Sequence, residues 1–470
     1  MHVRIAALIL TPGLLLGQSA ASPQNSPDLA KQIAEMNATI QKLQQRVDQL
    51  EARLGLAGEV APEAVQVPQS AQPAPAAPAG QSALPPSGQT VSSEPAAGDF
   101  LHGVSVNFLV DGYYGYNFND PIGRVNRLRA YDVLSNTFSL NQAAIVVEDA
   151  PDLASGKRWG LRLDLQFGQA TETLQGNAAN ELRPDVYRNI FQAYGTYIAP
   201  IGSGLTIDFG KWSSALGIEN NYTKDQMNYS RSFWYNFLPF YHEGVRMGYQ
   251  LTKSLGVNYW VTNGTQQTEP FKGFKDQFVG LSIQPNQNVS WFLSYYFGQE
   301  HPDVQLLPNS TNPNLPTLQG EPFLPISPSP NGKLHILDSY ATWQASPKLT
   351  FALEADYVIE RLFTYSAPDR TWGGSGYARY QISPRVAVAA RAEYLADQGG
   401  LFSGATQALK ETTVTLEQKM LEGFLLREEW RRDFSNQPYF YTSVLDQLKR
   451  EQNTATLGVI WWFGPKKSPW

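Results

Sequence analysis

From residue 104 to residue 463 the chain repeats one pattern, in which apolar and polar side chains alternate along segments of about ten residues. The segment Trp159–Phe167 shows the pattern most clearly. Leu161 and Leu163 fall on one face of this segment, and Arg162 falls on the other. Successive side chains of a β-strand point to opposite faces, so each segment presents an apolar face and a polar face. Such strands suit a wall between lipid and water, and the pattern predicts a transmembrane β-barrel.

The connections between these segments favour the same fold. We count sixteen segments, the first at residues 104–118 and the last at residues 454–463. Eight long connections, such as residues 299–333, alternate with seven short turns, such as residues 252–254. Bacterial outer-membrane barrels have an even number of antiparallel strands, long external loops and short periplasmic turns. The predicted fold is therefore all-β, a 16-stranded antiparallel transmembrane β-barrel with both barrel termini in the periplasm.

The composition agrees with a body in contact with lipid, although a large secreted β-protein is the alternative. Aromatic residues make up 12% of the chain and charged residues only 17%, and Trp and Tyr favour membrane interfaces. After the N-terminus no run of 18 apolar residues occurs, which excludes membrane-spanning helices. The absence of cysteine excludes disulfides, thiolate chemistry and a lipoprotein anchor. The net charge of −6 gives no basis for binding nucleic acid.

The N-terminal residues have the composition of an export signal. Arg4 precedes an apolar core at residues 5–16, and small residues follow at 19–21. This order predicts a signal peptide at residues 1–21. The alternative is a short membrane anchor, but the apolar core is too short to span a bilayer comfortably.

Residues 22–56 carry a heptad pattern that predicts a short α-helical coiled coil. Apolar residues recur at alternating steps of four and three and form one seam, which consists of Leu29, Ile33, Met36, Ile40, Leu43, Val47, Leu50 and Leu54. Polar side chains flank the seam, as expected where helices of several copies associate. The alternative is an amphipathic helix that packs on its own domain. The pattern leaves open whether two or three helices associate.

A linker and a tail flank the predicted barrel domain, residues 100–463. Residues 57–99 are rich in Pro, Ala, Gln, Ser and Gly, which predicts a disordered tether. Residues 464–470 form a tail whose two prolines cannot extend a β-ladder. Two interpretations remain open. Either Phe463 is the terminal aromatic residue of the last strand and the tail is an appendage, or Trp470 takes that place.

The polar faces of the strands carry charged side chains that we predict to face the lumen. These residues are Arg162, Asp164, Asp208, Glu354, Asp356, Arg379, Arg391, Glu393, Arg427, Glu429 and Arg431. Sixteen tilted strands enclose a lumen too wide for side chains to fill, so we expect it to hold water. Acidic and basic residues are nearly balanced on these faces, which argues against a dedicated anion or cation filter. The alternative role is structural, with opposite charges paired across the inner wall.

One connection, residues 212–243, has the composition of a segment that folds into the barrel. It carries aromatic residues such as Phe233, Trp234 and Tyr235 among many polar and charged ones. Because large aromatic side chains favour burial, we expect this loop to enter the barrel mouth and narrow the pore.

The stretch at residues 228–246, which reads Asn-Tyr-Ser-Arg-Ser-Phe-Trp-Tyr-Asn-Phe-Leu-Pro-Phe-Tyr-His-Glu-Gly-Val-Arg, resembles the signature region of OmpL-like β-barrel porins. Residues 100–463 are similar to that family in layout. The resemblance implies an outer-membrane porin for passive diffusion of small hydrophilic solutes, without a cofactor. Channels of this kind are often trimers, so it also favours a homo-trimer, with a dimer as the alternative. General porins narrow the pore with their third loop, and this likeness implies constriction candidates at Glu219, Lys224, Asp225, Arg231, His242, Glu243 and Arg246.

Other functions are weighed against the channel. An enzyme would need a nucleophile and a base, but the chain has only five histidines and no Gly-x-Ser-x-Gly elbow. His242 near Ser230 and Ser232 is the one plausible start for such a site, and we predict that the chain is not an enzyme. Neither His-rich spacing nor an EF-hand loop is present, so we predict no metal site.

Two non-enzymatic alternatives stay open. A structural or adhesive barrel, tethered by its coiled coil, would bind partners through its long loops and conduct poorly. A substrate-selective channel, for example one for carbohydrates, would carry aromatic rings along one side of the lumen.

Overall fold

The structure is a computed structural model that describes residues 103–175, 181, 183–318, 320–466 and 469–470. The predicted signal peptide, coiled coil and linker lie outside the described residues and remain predictions. Within the described residues, no helix combines the length and the hydropathy needed to cross a membrane.

Sixteen strands, numbered here β1–β16 in chain order, form one closed antiparallel barrel. Their bounds are β1 Ser105–Asn117, β2 Thr137–Asp149, β3 Trp159–Phe167, β4 Ile190–Ala199, β5 Leu205–Ser213, β6 Tyr241–Thr252, β7 Leu255–Thr262, β8 Asp276–Asn286, β9 Val289–Gly298, β10 Leu334–Ser346, β11 Leu349–Glu360, β12 Asp369–Ser383, β13 Val386–Gln398, β14 Gln407–Leu421, β15 Phe424–Ser435 and β16 Glu451–Phe463.

The barrel closes because its last strand pairs with its first. Each strand pairs with its neighbours in sequence, and β16 pairs with β1, where Phe108 lies opposite Phe463. A closed sheet leaves no edge strand with unpaired backbone groups, which is the condition for a sheet to exist in lipid. The predicted 16-stranded antiparallel β-barrel is confirmed.

Short turns connect the strands at one end of the barrel, which we call the turn end, and long loops connect them at the other, the loop end. Two of the long loops contain short strands of their own. The loop between β9 and β10 carries Val304–Leu306, Thr317–Leu318 and Glu321–Pro325. The loop between β15 and β16 carries the pair Phe440–Tyr441 and Leu448–Lys449.

The two faces of the barrel wall differ in polarity. On the outer face, the side chain of Phe209 is 72% exposed and that of Leu353 is 66% exposed. On the inner face of the same strands, Asp208 and Glu354 are each only 5% exposed. An apolar exterior around a polar interior is the arrangement that a barrel in lipid requires.

Strand β2 interrupts the strict alternation. Phe138 and Leu140 point outward, yet Gln142 and Ala144, an even number of residues further on, are buried on the inner face. The pairing of β1 with β2 shifts between Asp111 and Gly112, where β2 holds one residue more than its partner. This β-bulge moves the outward set of side chains from even to odd positions.

The connection between β5 and β6, residues 214–240, folds into the barrel, and we call it the inward loop. It contains the one-turn helix Phe233–Phe237, in which Phe233 and Trp234 are fully buried. Its tip reaches the wall far from its roots, since the Thr223 carbonyl accepts a hydrogen bond from Arg427 of β15. The aromatic residues that distinguish this segment in the sequence are therefore packed inside the barrel.

The residues after β16 turn back toward the barrel interior. The backbone N–H of Lys466 donates to Asn107 Oδ1 of β1 at 2.9 Å. The backbone N–H of Trp470 donates to Asp225 Oδ2 of the inward loop at 3.1 Å. Of the two interpretations of the tail, the structure therefore supports the one in which the ladder ends at Phe463. Trp470 does not extend the sheet but packs against the inward loop.

The outward position of Leu353 leads to a stability prediction. Leu353→Arg places a charge on the lipid face near the middle of β11, and at mid-bilayer depth we expect it to lower the free energy of unfolding by about 2–4 kcal/mol. The measurement is a denaturant titration of the refolded protein in lipid vesicles, followed by Trp fluorescence. The matched control is Thr342→Arg, because Thr342 is a half-buried inner-face residue of β10. An equal loss in both variants would contradict the assignment of faces.

Candidate functional site: the inward loop and the inner wall

The inward loop crosses the lumen. Its roots lie on β5 and β6, and its middle part contacts β13 and β15, which stand on the opposite side of the 16-stranded ring. Glu429 of β15 accepts hydrogen bonds from the backbone N–H groups of Tyr229 and Ser230, at 2.6 and 3.0 Å.

Glu393 of β13 holds the one-turn helix in the same way. It accepts hydrogen bonds from the backbone N–H groups of Phe233 and Trp234, each at 2.9 Å. These groups open the helix and have no acceptor within it. The carboxylate therefore satisfies two buried donors that water does not reach.

Arginines of the wall satisfy the carbonyl oxygens of the loop. Arg427 donates to the carbonyl oxygens of Thr223 and Asn228, at 2.6 and 3.3 Å. Arg391 of β13 donates to the carbonyl oxygen of Ser230 at 2.8 Å. An irregular segment inside a barrel lacks a ladder partner, and its buried backbone groups must find side chains instead.

Tyrosines attach the loop to a further part of the wall. Tyr229 Oη donates to Asp111 of β1 at 2.9 Å, and Tyr222 Oη donates to Asp164 of β3 at 2.5 Å. Gly458 of β16 leaves the room that Tyr229 needs, because a Cβ at this position would lie 2.2 Å from the Tyr229 ring. Two tyrosine hydroxyls that bind carboxylates, and the close packing of the Tyr229 ring on Gly458, therefore fix this part of the loop.

An apolar cluster anchors the loop near its roots. Trp234 and Leu238 of the loop pack with Trp260 and Phe278 of the inner wall, and the last two rings stack at a centroid distance of 3.8 Å. Trp260 and Phe278 are at most 3% exposed. These two wall aromatics therefore lie beneath the loop. Phe292 and Tyr340 of the inner wall stay partly exposed, and their rings stack at a centroid distance of 5.3 Å.

The predicted constriction residues of the loop are engaged in fixing it. Glu219 forms an ion pair with Arg391 at 2.7 Å. Arg231 is fully buried and donates to the carbonyl oxygens of Asn221 and Tyr229, each at 2.9 Å. These side chains hold the conformation of the loop and do not project from it into the lumen.

Lys224 and Asp225 lie at the tip of the inward loop. They form an ion pair at 2.8 Å, and the Lys224 ammonium lies 4.4 Å from the centroid of the Trp470 ring. Burial lowers the pKa of Lys224 to about 8, and the charge of Asp225 opposes that shift. The tip and the tail thus meet through a cation, a carboxylate and an indole ring.

The three predicted residues on β6 have different positions. Arg246 lies on the inner face, paired with Asp208 at 2.6 Å, and remains partly exposed. His242 is fully buried, 3.1 Å from Ser214 Oγ and 3.2 Å from the Gly264 carbonyl oxygen. It faces structural partners and does not face a pore.

The prediction for Glu243 is wrong. Glu243 lies an odd number of residues from His242 and Arg246, so alternation places it on the other face of β6. Its register partner is Lys211, which is likewise on the other face of β5 from Asp208. The sequence pattern predicts a loop up to this residue, whereas β6 already begins at Tyr241.

The pairing of His242 with Ser230 and Ser232 does not form. Ser230 Oγ accepts hydrogen bonds from Arg391 and Arg431, at 3.2 Å each, and Ser232 Oγ accepts one from the backbone N–H of Tyr235. The hydrogen bonds of His242 go to Ser214 and Gly264, so His242 and these two serines do not form a nucleophile and base pair.

The eleven residues predicted to face the lumen occupy inner-face positions of their strands, and most are paired. The ion pairs of the wall join Arg162 to Asp164, Arg246 to Asp208, Arg379 and Arg427 to Glu417, Arg391 to Glu411, and Arg431 to Asp433. Within the described ranges, four of the eleven have no ion-pair partner within 4.0 Å. Glu393 and Glu429 bind loop N–H groups instead, and the other two are Glu354 and Asp356. This pairing favours the structural role for most of the charges.

Inner-face residues that stay partly exposed are concentrated at the turn end of β5–β12. They are mostly uncharged and polar, and they include Thr206, Gln250, Asn258, Ser282, Ser290, Thr342 and Gln344. The middle and the tip of the inward loop bind the opposite arc of the wall, at Glu393, Glu429 and Arg427. The solvent-accessible turn end of β5–β12 therefore borders the space that the loop leaves open.

Some residues of the site were missed at the level of sequence. Glu411 and Asp433 hold the wall arginines, and Asp338 lies opposite Asp356 in the register of β10 and β11. Alternation alone could have found Asp338 and Glu411 once the strand bounds were known. The contact of Trp470 with the loop carries no local signal.

Comparison with known proteins agrees with the geometry. A family model described as "Putative beta-barrel porin-2, OmpL-like" matches residues 103–463. The fold is similar to that of an anion-selective porin from Comamonas acidovorans, with a TM-score of 0.51 and 10% identity over 77% of this chain and 99% of that chain. No curated protein sequence matches the chain at a significant level.

Two further solved structures are similar. One is the outer-membrane channel DcaP of Acinetobacter baumannii, with a TM-score of 0.49 and 10% identity over 77% of this chain and 97% of that chain. The other is OmpT of Vibrio cholerae, with a TM-score of 0.47 and 10% identity over the same shares of the two chains.

The carboxylate of Glu429 should control the docking of the inward loop. Glu429→Gln removes the charge that binds two loop N–H groups, and charged hydrogen bonds contribute about 1.5–3 kcal/mol. We expect faster cleavage of residues 214–240 by a protease added to the refolded protein. Glu428→Gln is the control, because it removes the same charge from the adjacent position on the outer face. Unchanged protection in Glu429→Gln would show that this carboxylate does not hold the loop.

Proposed function

This chain belongs to the OmpL-like β-barrel porin family, and we propose that it lets small hydrophilic solutes diffuse across the bacterial outer membrane through a passage that the inward loop constricts. The observation that carries the proposal is the course of that loop. It leaves β5, crosses to β13 and β15, and is bound there through its own backbone. A segment fixed in this way sets the width of a pore without closing and opening it.

The lining of the proposed passage suits small polar solutes. On one side it has the hydroxyl and amide side chains at the turn end of β5–β12, which can exchange hydrogen bonds with hydrated solutes. The partly exposed charges there, Arg246 and Arg379, are each paired with a carboxylate. We therefore propose weak ion selectivity, because the field of a paired charge falls off faster than that of a free one.

Planar bilayers test the pore. We expect the purified protein to give stepwise conductance, and a variant in which a short Gly-Ser linker replaces residues 219–236 to conduct more per step, because the constriction is removed. Reversal potentials in a salt gradient, measured on the same channels, should lie close to zero. Absence of current at any protein load, with the barrel correctly folded, would instead favour a structural or adhesive barrel.

We also propose that copies of the chain associate through the outer face of β12–β14. The middle of this face is built of small side chains, namely Gly374, Gly376, Ala378, Ala390 and Ala392, which let another surface approach closely. Glu428 of the adjacent β15 points outward, where it accepts a hydrogen bond from Gln418 at 3.1 Å. A charge that faces lipid is costly, whereas polar groups of a neighbouring protein copy can form hydrogen bonds with it. By analogy with porins we expect a trimer.

A bulky residue in this face should disrupt the oligomer. Gly376→Trp adds an indole to the middle of the small-residue face, where a Cβ meets only ordinary contact. We expect a shift from oligomer to monomer, measured as molar mass by light scattering in detergent. Gly195→Trp is the control, because Gly195 is an outward residue of β4, eight strands away on the opposite side of the ring. If both variants keep the mass of the parent protein, this face is not the interface.

A further inference from the structure

Three carboxylates converge on the inner wall where β10 and β11 face the inward loop. They belong to Asp338, Glu354 and Asp356, and one oxygen of each lies within 4.8 Å of the others. Asp338 of β10 and Asp356 of β11 are direct register partners, and Glu354 lies two residues before Asp356 on the same face of β11. All three side chains are buried, at 0%, 5% and 4% exposure.

No positive charge of the described chain compensates this cluster. None of the three carboxylates has an ion pair within 4.0 Å in the described residues. Glu393 and Glu429 of the same wall also lack an ion pair, but each of them binds two loop N–H groups. Glu393 places a further negative charge near Asp356. Arg391 of β13 already forms ion pairs with Glu219 and Glu411.

The cluster also lacks donors. No N–H or O–H group of the other described residues donates to either oxygen of Asp356 or to one oxygen of Asp338. The two carboxyl groups can hydrogen-bond to each other only when one of them is protonated. The donors that do reach the cluster bind Asp338 or Glu354 only. Ser294 Oγ donates to Asp338, and Ser375 Oγ, Tyr377 Oη and the backbone N–H of Ile218 donate to Glu354. Buried carboxylates without donors are costly, and the cost is met either by protonation or by a bound cation.

We propose that Asp338, Glu354 and Asp356 bind one divalent cation, Ca²⁺, inside the barrel wall. Ca²⁺ binds carboxylate and hydroxyl oxygens at about 2.3–2.6 Å, so ligands on opposite sides of the ion stand about 4.6–5.2 Å apart. The spread of the three oxygens fits inside that distance. Mg²⁺ requires shorter, octahedral contacts and retains several waters, which fits a dry wall site less well.

The position of the site gives the ion a role beyond the proposed diffusion function. Glu354 also accepts the N–H of Ile218 in the first part of the inward loop, at 3.1 Å. A Cβ on the adjacent Gly217, whose φ is +83°, would lie 3.0 Å from Glu354 Oε1. The ion therefore neutralises the wall where the loop lies closest to it, and it holds the loop against β11.

Metal binding can be measured directly on the refolded full chain. Lipopolysaccharide must be removed first, because it also binds Ca²⁺. We expect one Ca²⁺ per chain by isothermal titration calorimetry. We also expect Tb³⁺ to bind and emit by energy transfer from Tyr377, whose hydroxyl lies 3.4 Å from Glu354, and Ca²⁺ to displace it. Asp356→Asn should weaken binding about tenfold or more, since ligand charge sets Ca²⁺ affinity.

Two controls separate a site from a general effect of charge. Asp208→Asn removes one inner-wall carboxylate that is paired with Arg246, and it should bind Ca²⁺ like the parent protein. Glu354→Gln serves if Asp356→Asn does not fold, which a heat-modifiability gel reports. Chelation should speed proteolysis of residues 214–240 in the parent protein but not in Asp356→Asn.

The outcomes distinguish this inference from the pore itself. Conductance without any Ca²⁺ or Tb³⁺ binding overturns the metal site and leaves the porin function standing. Binding that survives in both Asp356→Asn and Glu354→Gln places the ion elsewhere and also overturns the assignment. Saturable binding that is lost in these variants alone supports it.

Discussion

Every buried peptide group must find a hydrogen-bond partner, and this single requirement organises the molecule. In the wall it is met by sixteen strands that pair in sequence and close, so that lipid meets no free backbone edge. In the lumen it is met differently, because the inward loop is irregular and has no neighbouring strand. Its N–H groups bind Glu393 and Glu429, and its carbonyl oxygens bind Arg391 and Arg427. Many charges of the inner wall therefore serve the loop's backbone.

This use of charge has an electrostatic consequence. A wall arginine that binds a loop carbonyl is also held by a carboxylate, as Arg391 is by Glu411 and Arg427 is by Glu417. Such networks are rigid when complete, and removing one member leaves a buried charge without its partner. The same pairing neutralises the lumen. Glu393 and Glu429 have no ion pair, but they bind loop N–H groups. In the acidic cluster of Asp338, Glu354 and Asp356, the oxygens of Asp356 receive no such donor, and this difference points to an ion from solution.

The sequence predicted the strands and their faces because both depend on a local, two-residue period. The alternation predicts a strand at residues 159–168, one residue longer than β3, and Arg162 and Asp164 lie on the inner face as predicted. The two-residue period fails where a shift of one residue exchanges the inward and outward positions of a strand. Glu243 was assigned to a loop although β6 already includes it, and the bulge in β2 reverses the alternation after Leu140.

Other features depend on closure and could not be predicted locally. His242 is distant in sequence from Gly264 yet lies against it, and Asp338 meets Asp356 only through register. The entry of the loop follows from its aromatic content, but the carboxylates and arginines that bind its backbone come from strands more than a hundred residues away.

The tail makes the two mouths of the barrel unlike. At the turn end, Trp470 packs on Tyr222 with ring centroids 5.4 Å apart and lies over the Lys224 ammonium, while Lys466 binds Glu148. At the loop end, the long extracellular connections surround the opening instead. A solute moving outward first meets the partly exposed Trp470 ring and the ion pair of Lys466 with Glu148, whereas one moving inward first meets the long loops. Capture at the two entrances is thus governed by different chemistry, even though the narrow stretch between them is shared.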